Sequence, residues 1–254
     1  MNDDDVARHT PSRDQQDSMS AELAEAGRVL ADISKAFGGP TDASWGAACE
    51  IIKKVRPLPY FLRNVIHAVF GKSGCTGTVR AHSFSPLSAL LLRAARDETL
   101  ISAYAPRSQA ETIQLSQAVE AVGVDVAAAL CYVYAVSRRV SQLLAERATK
   151  PLLDDAFLRT LIGWHVGRSA RRPYCGCAML LGFSARYGLA IQVVSGEAER
   201  AAKTLAGFAS GEKISKLCAA NYGCDPFQVA ALALLGAGCS REMALGLASS
   251  GSAA

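Results

Sequence analysis

Apolar residues recur along most of the chain at the three- and four-residue spacing of amphipathic helices. The first run lies between about residues 20 and 37 and ends at Gly38-Gly39-Pro40, a helix-terminating sequence. A second run covers residues 42 to 54, and a third follows a Leu-Pro step in VRPLPYFLRNVIHAVFG. The β-branched stretch YGLAIQVV is interpreted as helical because both of its flanks are. The pattern predicts an all-α fold of about ten to twelve helices.

Capping residues mark the starts of later helices. Ser85-Pro86 and Asp225-Pro226 each place a polar side chain directly before a proline, which suits the first helical position. Gly123 suits the left-handed residue that follows a helix. Three further side chains predicted to cap helix starts are Thr112, Asp125 and Asp154.

The apolar content predicts four regions. These are a disordered tail at 1–18, an N-terminal helical lobe at 19–150, a C-terminal helical lobe at 151–250 and a flexible end at 251–254. The two lobes are expected to meet near 146–155, and no repeat of fixed period is present in the sequence.

Composition and charge narrow the function classes. The 254 residues are 50% hydrophobic and 20% charged, which is typical of a globular protein. The formal charge of +4 is spread along the chain with no block of Lys and Arg, so the charge gives little support for a nucleic-acid partner, and we do not expect one. The first residues lack the apolar core of a signal peptide, and no apolar run is long enough to span a membrane. We therefore expect a cytoplasmic protein with no membrane partner.

The eight cysteines do not form the paired knuckles of a zinc site. Most are expected to be small buried hydrophobic residues. Cys175 and Cys177 are two residues apart and follow Arg171 and Arg172, so their pKa values could be lowered. They are candidates for a redox sensor, with Cys218 and Cys224 as additional thiols.

Three segments together resemble the HDOD family, the bacterial regulatory relatives of HD-type metal-dependent phosphohydrolases. VRPLPYFLRNVIHAVFG with SFSPLSALLLRAAR is similar to the opening of that family, and TIQLSQAVEAVGVDVAAALCYVYAVSR is similar to its central helices. AMLLGFSARYGLAIQVV and NYGCDPFQVAALALLGAGCSREMALGL resemble the two segments that carry the metal ligands in catalytic relatives. The resemblance covers about residues 55 to 250 and implies a multi-helix HD-like bundle that serves in signal transduction.

The resemblance also implies that the metal site is lost. Aligned by its two glycines, GFSARYG has Ala185 and Arg186 where the catalytic relatives have the His-Asp pair, and Pro226 falls where a further histidine is expected. Alanine cannot coordinate a metal, and the fixed charge of arginine would repel one. His165 alone lies near an expected family histidine. The resemblance therefore implies a pseudoenzyme with no metal and no cofactor.

A group of cations is the main candidate for binding. Arg168, Arg171 and Arg172 end one predicted helix, and Arg186 replaces the metal-site aspartate. With His165 they would form a basic recess able to hold a phosphate, a nucleotide or an acidic partner segment. The alternative is ordinary solvation of a helix C-terminus, which favours cations.

Three functions follow from these patterns. The first is a non-catalytic regulatory protein that binds a partner protein in a signalling pathway or a small ligand. The second is a divergent metal-dependent phosphohydrolase, with substitute ligands at His165, Asp154, Asp155 and Asp225. The third is the cysteine-based redox sensor.

Overall fold

The structure is a computed structural model that describes residues 17–18, 21, 24–25, 27–32, 42–55, 58, 60–71, 123–143, 146–170 and 174–252. Nine helices have both their first and last residues within these described ranges. They are α1 (Asp42–Lys53), α2 (Tyr60–Phe70), α3 (Val124–Leu143), α4 (Glu146–Ala170), α5 (Cys175–Ser195), α6 (Ala198–Ala209), α7 (Ile214–Tyr222), α8 (Pro226–Gly236) and α9 (Arg241–Ser252). Residues 27–32 are also helical.

No strand occurs in these described residues, so the predicted all-α fold class is confirmed. The helical interpretation of YGLAIQVV is confirmed as well, because the whole segment lies inside α5. The number of ten to twelve helices refers to the complete chain and stays a prediction.

Helix α5 is the centre of the core. It packs against α4, α8 and α3, and buried residues follow all of its faces, among them Leu180, Phe183 and Leu189. A helix that is apolar all round belongs in a protein core or a membrane. Among the described helices α5 alone has the length and apolar content to cross a membrane, and 61% of its most apolar window is buried within the protein. This burial is the pattern of a core helix.

The predicted boundary between two lobes falls inside a helix. α4 runs without interruption from Glu146 to Ala170 and so passes through 146–155. Buried residues from both sides of that boundary, from Leu30 to Ala248, belong to a single hydrophobic cluster.

One of the predicted helix starts is confirmed. Asp225 caps α8: its carboxylate accepts a hydrogen bond from Phe227 N at 2.8 Å, while Gln228 Oε1 accepts one from Asp225 N at 3.0 Å. This reciprocal capping box satisfies two N–H groups that a helix start leaves without partners. Gly123 has the expected left-handed backbone, with φ of 96°, whereas the helix that it was predicted to end lies outside the described residues.

Two other predicted caps are wrong. Asp154 does not begin a helix, because α4 starts eight residues earlier, and its carboxylate pairs with Lys150 one turn away at 3.0 Å. Asp125 lies in the first turn of α3 but accepts a hydrogen bond from Gly176 N at 2.8 Å, at the start of α5. It therefore caps a distant helix rather than its own. The predicted starts at Ser85 and Thr112 lie outside the described residues.

Glycines allow α4 and α5 to pack backbone against backbone. A Cβ atom on Gly163 would overlap the Ala178 carbonyl, and one on Gly167 would lie 2.6 Å from Cys175 Cα. A Cβ on Gly182 would overlap the Arg159 carbonyl in turn. The contact points advance by four residues along α4 while they move back by three or four residues along α5. The two helices are antiparallel and closely packed, at a separation that only glycine permits along this line.

We predict that Gly188→Ala destabilises the fold. On the other side of α5, a Cβ at Gly188 would overlap the Pro226 carbonyl at the start of α8, and neither backbone can yield without displacing a helix. Overpacking of this kind should lower the free energy of unfolding by at least about 2 kcal/mol. Urea denaturation monitored by circular dichroism measures this change.

The matched control is Gly46→Ala on the exposed side of α1, where a Cβ meets nothing within 4 Å. Its free energy of unfolding should rise by up to about 1 kcal/mol, because alanine has a higher helix propensity than glycine. If Gly188→Ala unfolded at the same urea concentration as the unsubstituted protein, the close packing of α5 on α8 would be contradicted.

Candidate functional site

Packing accounts for most of the GFSARYG segment, residues 182 to 188. Gly182 and Gly188 are contact points with α4 and α8. Phe183 and Tyr187 are buried, with stacked rings whose centroids lie 5.6 Å apart, and both rings contact Tyr132 of α3 edge-on at 6.2 and 6.3 Å. Aromatic groups in this arrangement stabilise a core beyond the area they bury. The two-glycine pattern therefore has a structural explanation in this chain that needs no metal.

Arg186 is the charged residue of the segment, and its partner is Asp155 on α4. The guanidinium Nε donates to Asp155 Oδ2, and Arg159 Nε donates to the same oxygen at 3.2 Å. The Arg186 side chain is 14% exposed and that of Asp155 is 28% exposed. The guanidinium also lies 5.6 Å from the centre of the Phe208 ring on α6. Arg186 thus joins α5 to both α4 and α6.

The Asp155 carboxyl is held in its ionised form. Burial by itself raises the pKa of Asp155, but the hydrogen bonds and charges of Arg186 and Arg159 outweigh it, so the pKa lies below its usual value. Because Arg186 is mostly buried, loss of the carboxylate charge would leave a cation with little solvent around it. The ion pair is a built-in part of the α4–α5 contact.

The four residues considered as substitute metal ligands are not brought together. Asp155 is paired with Arg186, Asp154 with Lys150, and Asp225 with the start of its own helix. His165 is exposed and lies ten residues beyond Asp155 on α4, about 15 Å along the axis. In the part of the chain that the structure describes, no three His, Cys, Asp or Glu side chains are grouped as metal ligands.

The cations of the predicted basic recess do not lie together. Arg168 lies over the ring of Trp164, 5.4 Å from its centre, and Trp164 in turn contacts the exposed His165 ring at 4.9 Å. Asp155, where Arg186 is bound, is nine residues before Trp164 and so about 13 Å away along α4. Arg168 and Arg186 therefore do not share one recess. Arg171 and Arg172 lie outside the described residues.

Three of the four thiols of the proposed redox sensor are buried and have raised pKa values. Burial and the nearby Asp125 raise the pKa of Cys175, which corrects the lowered value expected from the sequence, and Arg168 offsets only part of this. The Cys175 thiol also donates to the Trp164 carbonyl at 3.4 Å. Burial is the main cause that raises the pKa of Cys218 to about 12 and that of Cys224 to about 11. Cys177 is half-buried. A raised pKa disfavours the thiolate that redox chemistry needs.

An exposed apolar ridge on α4 is the feature that sequence reasoning missed. Leu158, Ile162 and Val166 are 55%, 53% and 59% exposed, and we call these three residues the α4 ridge. Their four-residue spacing was readable in the sequence, but the same spacing also describes a buried helix face. Gly163 and Gly167 decide the orientation, because they turn the opposite face of α4 toward α5.

In comparisons of the chain with protein-family models, curated proteins and solved structures, no match was found.

We predict that Asp155→Asn destabilises the protein in a pH-dependent way. Hydrogen bonds to charged groups contribute about 1.5–3 kcal/mol, and that contribution should be lost at neutral pH. Since folding lowers the pKa of Asp155, its contribution is complete above the unfolded value of about 3.9 and disappears as the pH falls through the folded value. Chemical denaturation from neutral pH down to about pH 2 measures both effects.

The control is Asp154→Asn, the adjacent carboxylate, whose exposed pair with Lys150 should contribute no more than about 0.5 kcal/mol. A stability difference between Asp155→Asn and the unsubstituted protein that stayed constant to the lowest pH would contradict the assignment.

Proposed function

We propose that the chain is a non-catalytic, HDOD-like regulatory protein that acts in bacterial signal transduction by binding another protein. The sequence resemblance to that family and the all-α fold support this proposal. The observation that carries it is the Arg186–Asp155 ion pair. It occupies the helix position where the resemblance places the metal-binding His-Asp pair of catalytic relatives.

The ion pair leaves neither partner available for metal chemistry. Asp155 accepts from two guanidinium groups, and a divalent cation would have to displace a buried cation to reach it. Anion binding at Arg186 meets a similar obstacle, because the Asp155 carboxylate already occupies its Nε–H. A protein partner therefore fits this molecule better than a nucleotide or phosphate ligand does.

The α4 ridge supplies a surface suited to a protein. Large apolar side chains that are more than half exposed and aligned on one helix mark an interaction site when they form a contiguous patch. Successive ridge residues are one helical turn apart, so their side chains adjoin. We propose that the protein binds a helix or an apolar loop of its partner on this face.

The experiment has a chemical and a binding arm. We expect the purified chain to show no divalent metal in stoichiometric amount and no manganese-stimulated turnover of nucleotides or cyclic dinucleotides. In a pull-down from the native host, we expect Ile162→Glu as bait to lose a protein that the unsubstituted chain retains, because a charge on the ridge opposes desolvation of the interface.

The matched control for the bait is Ala202→Glu, which places the same charge on the exposed side of α6. It should retain the captured protein. Two results would overturn the proposal: turnover dependent on a metal that is lost in His165→Ala, or identical captured proteins for Ile162→Glu and the unsubstituted chain.

A further inference from the structure

The hydroxyls of Tyr132 on α3 and Ser184 on α5 are polar groups in the centre of the hydrophobic core. The two residues are 1% and 0% exposed. Neither hydroxyl oxygen has a hydrogen-bond partner among the residues that the structure describes. A buried hydroxyl without a hydrogen bond is costly, and the large majority of such groups in proteins are bonded to protein or to ordered water. Two of them at one helix contact therefore point to a bound molecule.

The two hydroxyls belong to the same part of the α3–α5 contact. The centre of the Tyr132 ring lies 6.2 Å from that of Phe183 and 6.3 Å from that of Tyr187, which are one turn apart on α5. Ser184 lies three residues before Tyr187 and so borders the same contact. Burial is the main cause that raises the pKa of Tyr132, and the Ser184 hydroxyl is close enough to lower it in part. The hydroxyls are neighbours that do not bond to each other directly.

Ser184 also differs from other hydroxyl residues inside the described helices. A helical hydroxyl commonly donates to the carbonyl four residues before it. Three side chains do so at 2.8–2.9 Å, namely Thr160, Ser169 and Thr204. Ser184 lies in the middle of α5 but does not bond to the Leu180 carbonyl. Its hydroxyl is therefore not occupied by its own helix.

We propose that the Tyr132 and Ser184 hydroxyls bind one buried water molecule that bridges α3 to α5. Water suits this pair because each hydroxyl can both donate and accept, as water does. Buried waters typically bond to about two to four polar groups that would otherwise be unsatisfied. The rings of Phe183 and Tyr187 add apolar surface at this contact, which favours a small neutral molecule over a charged ligand.

The water would be a second polar link between two parallel helices. At their starts, α3 and α5 are joined by the Asp125 carboxylate, which accepts from Gly176 N at 2.8 Å. Tyr132 lies seven residues beyond Asp125, and Ser184 lies eight residues beyond Gly176, so both helices reach the water after about two turns. No residue of the α4 ridge takes part, and the site is therefore independent of the proposed function.

Hydroxyl-deletion variants test the bridge through the equilibrium constant for unfolding, measured by urea denaturation at neutral pH. Tyr132→Phe leaves Ser184 and the water short of a hydrogen bond, so we expect it to raise this constant by about tenfold. Ser184→Ala should raise it by less, because the helix propensity of alanine offsets part of the loss. The double variant removes both polar groups and the need for the water. Its constant should be no larger than that of Tyr132→Phe alone.

Tyr134→Phe is the matched control. It removes a tyrosine hydroxyl two residues further along α3, on a different side of the helix. Its effect should combine with that of Ser184→Ala as the simple product of the two changes in the unfolding constant. If Tyr132→Phe and Ser184→Ala each lowered the unfolding constant and combined in the same independent way, the hydroxyls would share no bound molecule and the bridge would be overturned.

A high-resolution crystal structure of the unsubstituted chain identifies the bridging molecule. We expect one ordered water within about 3.2 Å of both hydroxyl oxygens, and its loss in the crystal structure of the double variant. A direct hydrogen bond between Tyr132 and Ser184, or a contact without ordered water at either oxygen, would overturn the proposal.

Discussion

The close contact between α4 and α5 is the constraint on which the rest of the structure depends. Gly163, Gly167 and Gly182 remove the side chains that would hold the two helices apart, so backbone meets backbone along the contact. This fixes the antiparallel register and the rotation of α4 about its own axis. One face of α4 is committed to α5, and the opposite face, with its aliphatic residues, is left toward solvent. The packing of α4 on α5 and the exposure of the α4 ridge thus have one cause.

The same register explains the role of Arg186. One turn beyond Gly182 on α5, it reaches Asp155, one turn before Arg159 on α4, just where the glycine contacts end. A cation and a carboxylate can pair here because the helices are already held close. The segment that resembles a metal-binding turn is, in this chain, a sequence of a helix contact, a buried aromatic pair and an ion pair. Regulatory use of the scaffold is consistent with that chemistry, since binding needs a surface and not a reactive centre.

The sequence was sufficient to predict those features of the structure that depend on residues close together in the chain. The Asp225-Pro226 start of α8 and the left-handed Gly123 were predictable because capping and positive φ involve residues a few positions apart. Asp125 and Asp154 were misassigned for the opposite reason. Asp125 caps a helix fifty residues away, and Asp154 lies inside a helix that starts at Glu146, eight residues before it. The partner of Arg186 and the exposed side of α4 also depend on how two helices pack. A single sequence does not show which helices pack together or how closely.

A double-mutant cycle on Asp155 and Arg186 tests the central claim most directly. Asp155→Ala, Arg186→Ala and the double variant are compared with the unsubstituted chain by urea denaturation at neutral pH. A partly buried pair in direct contact should show a coupling free energy of about 1–3 kcal/mol, with the double variant less destabilised than the sum of the two single ones. A coupling below about 0.3 kcal/mol would mean that the two effects simply add. That result would contradict the view that Arg186 has become a structural partner of α4.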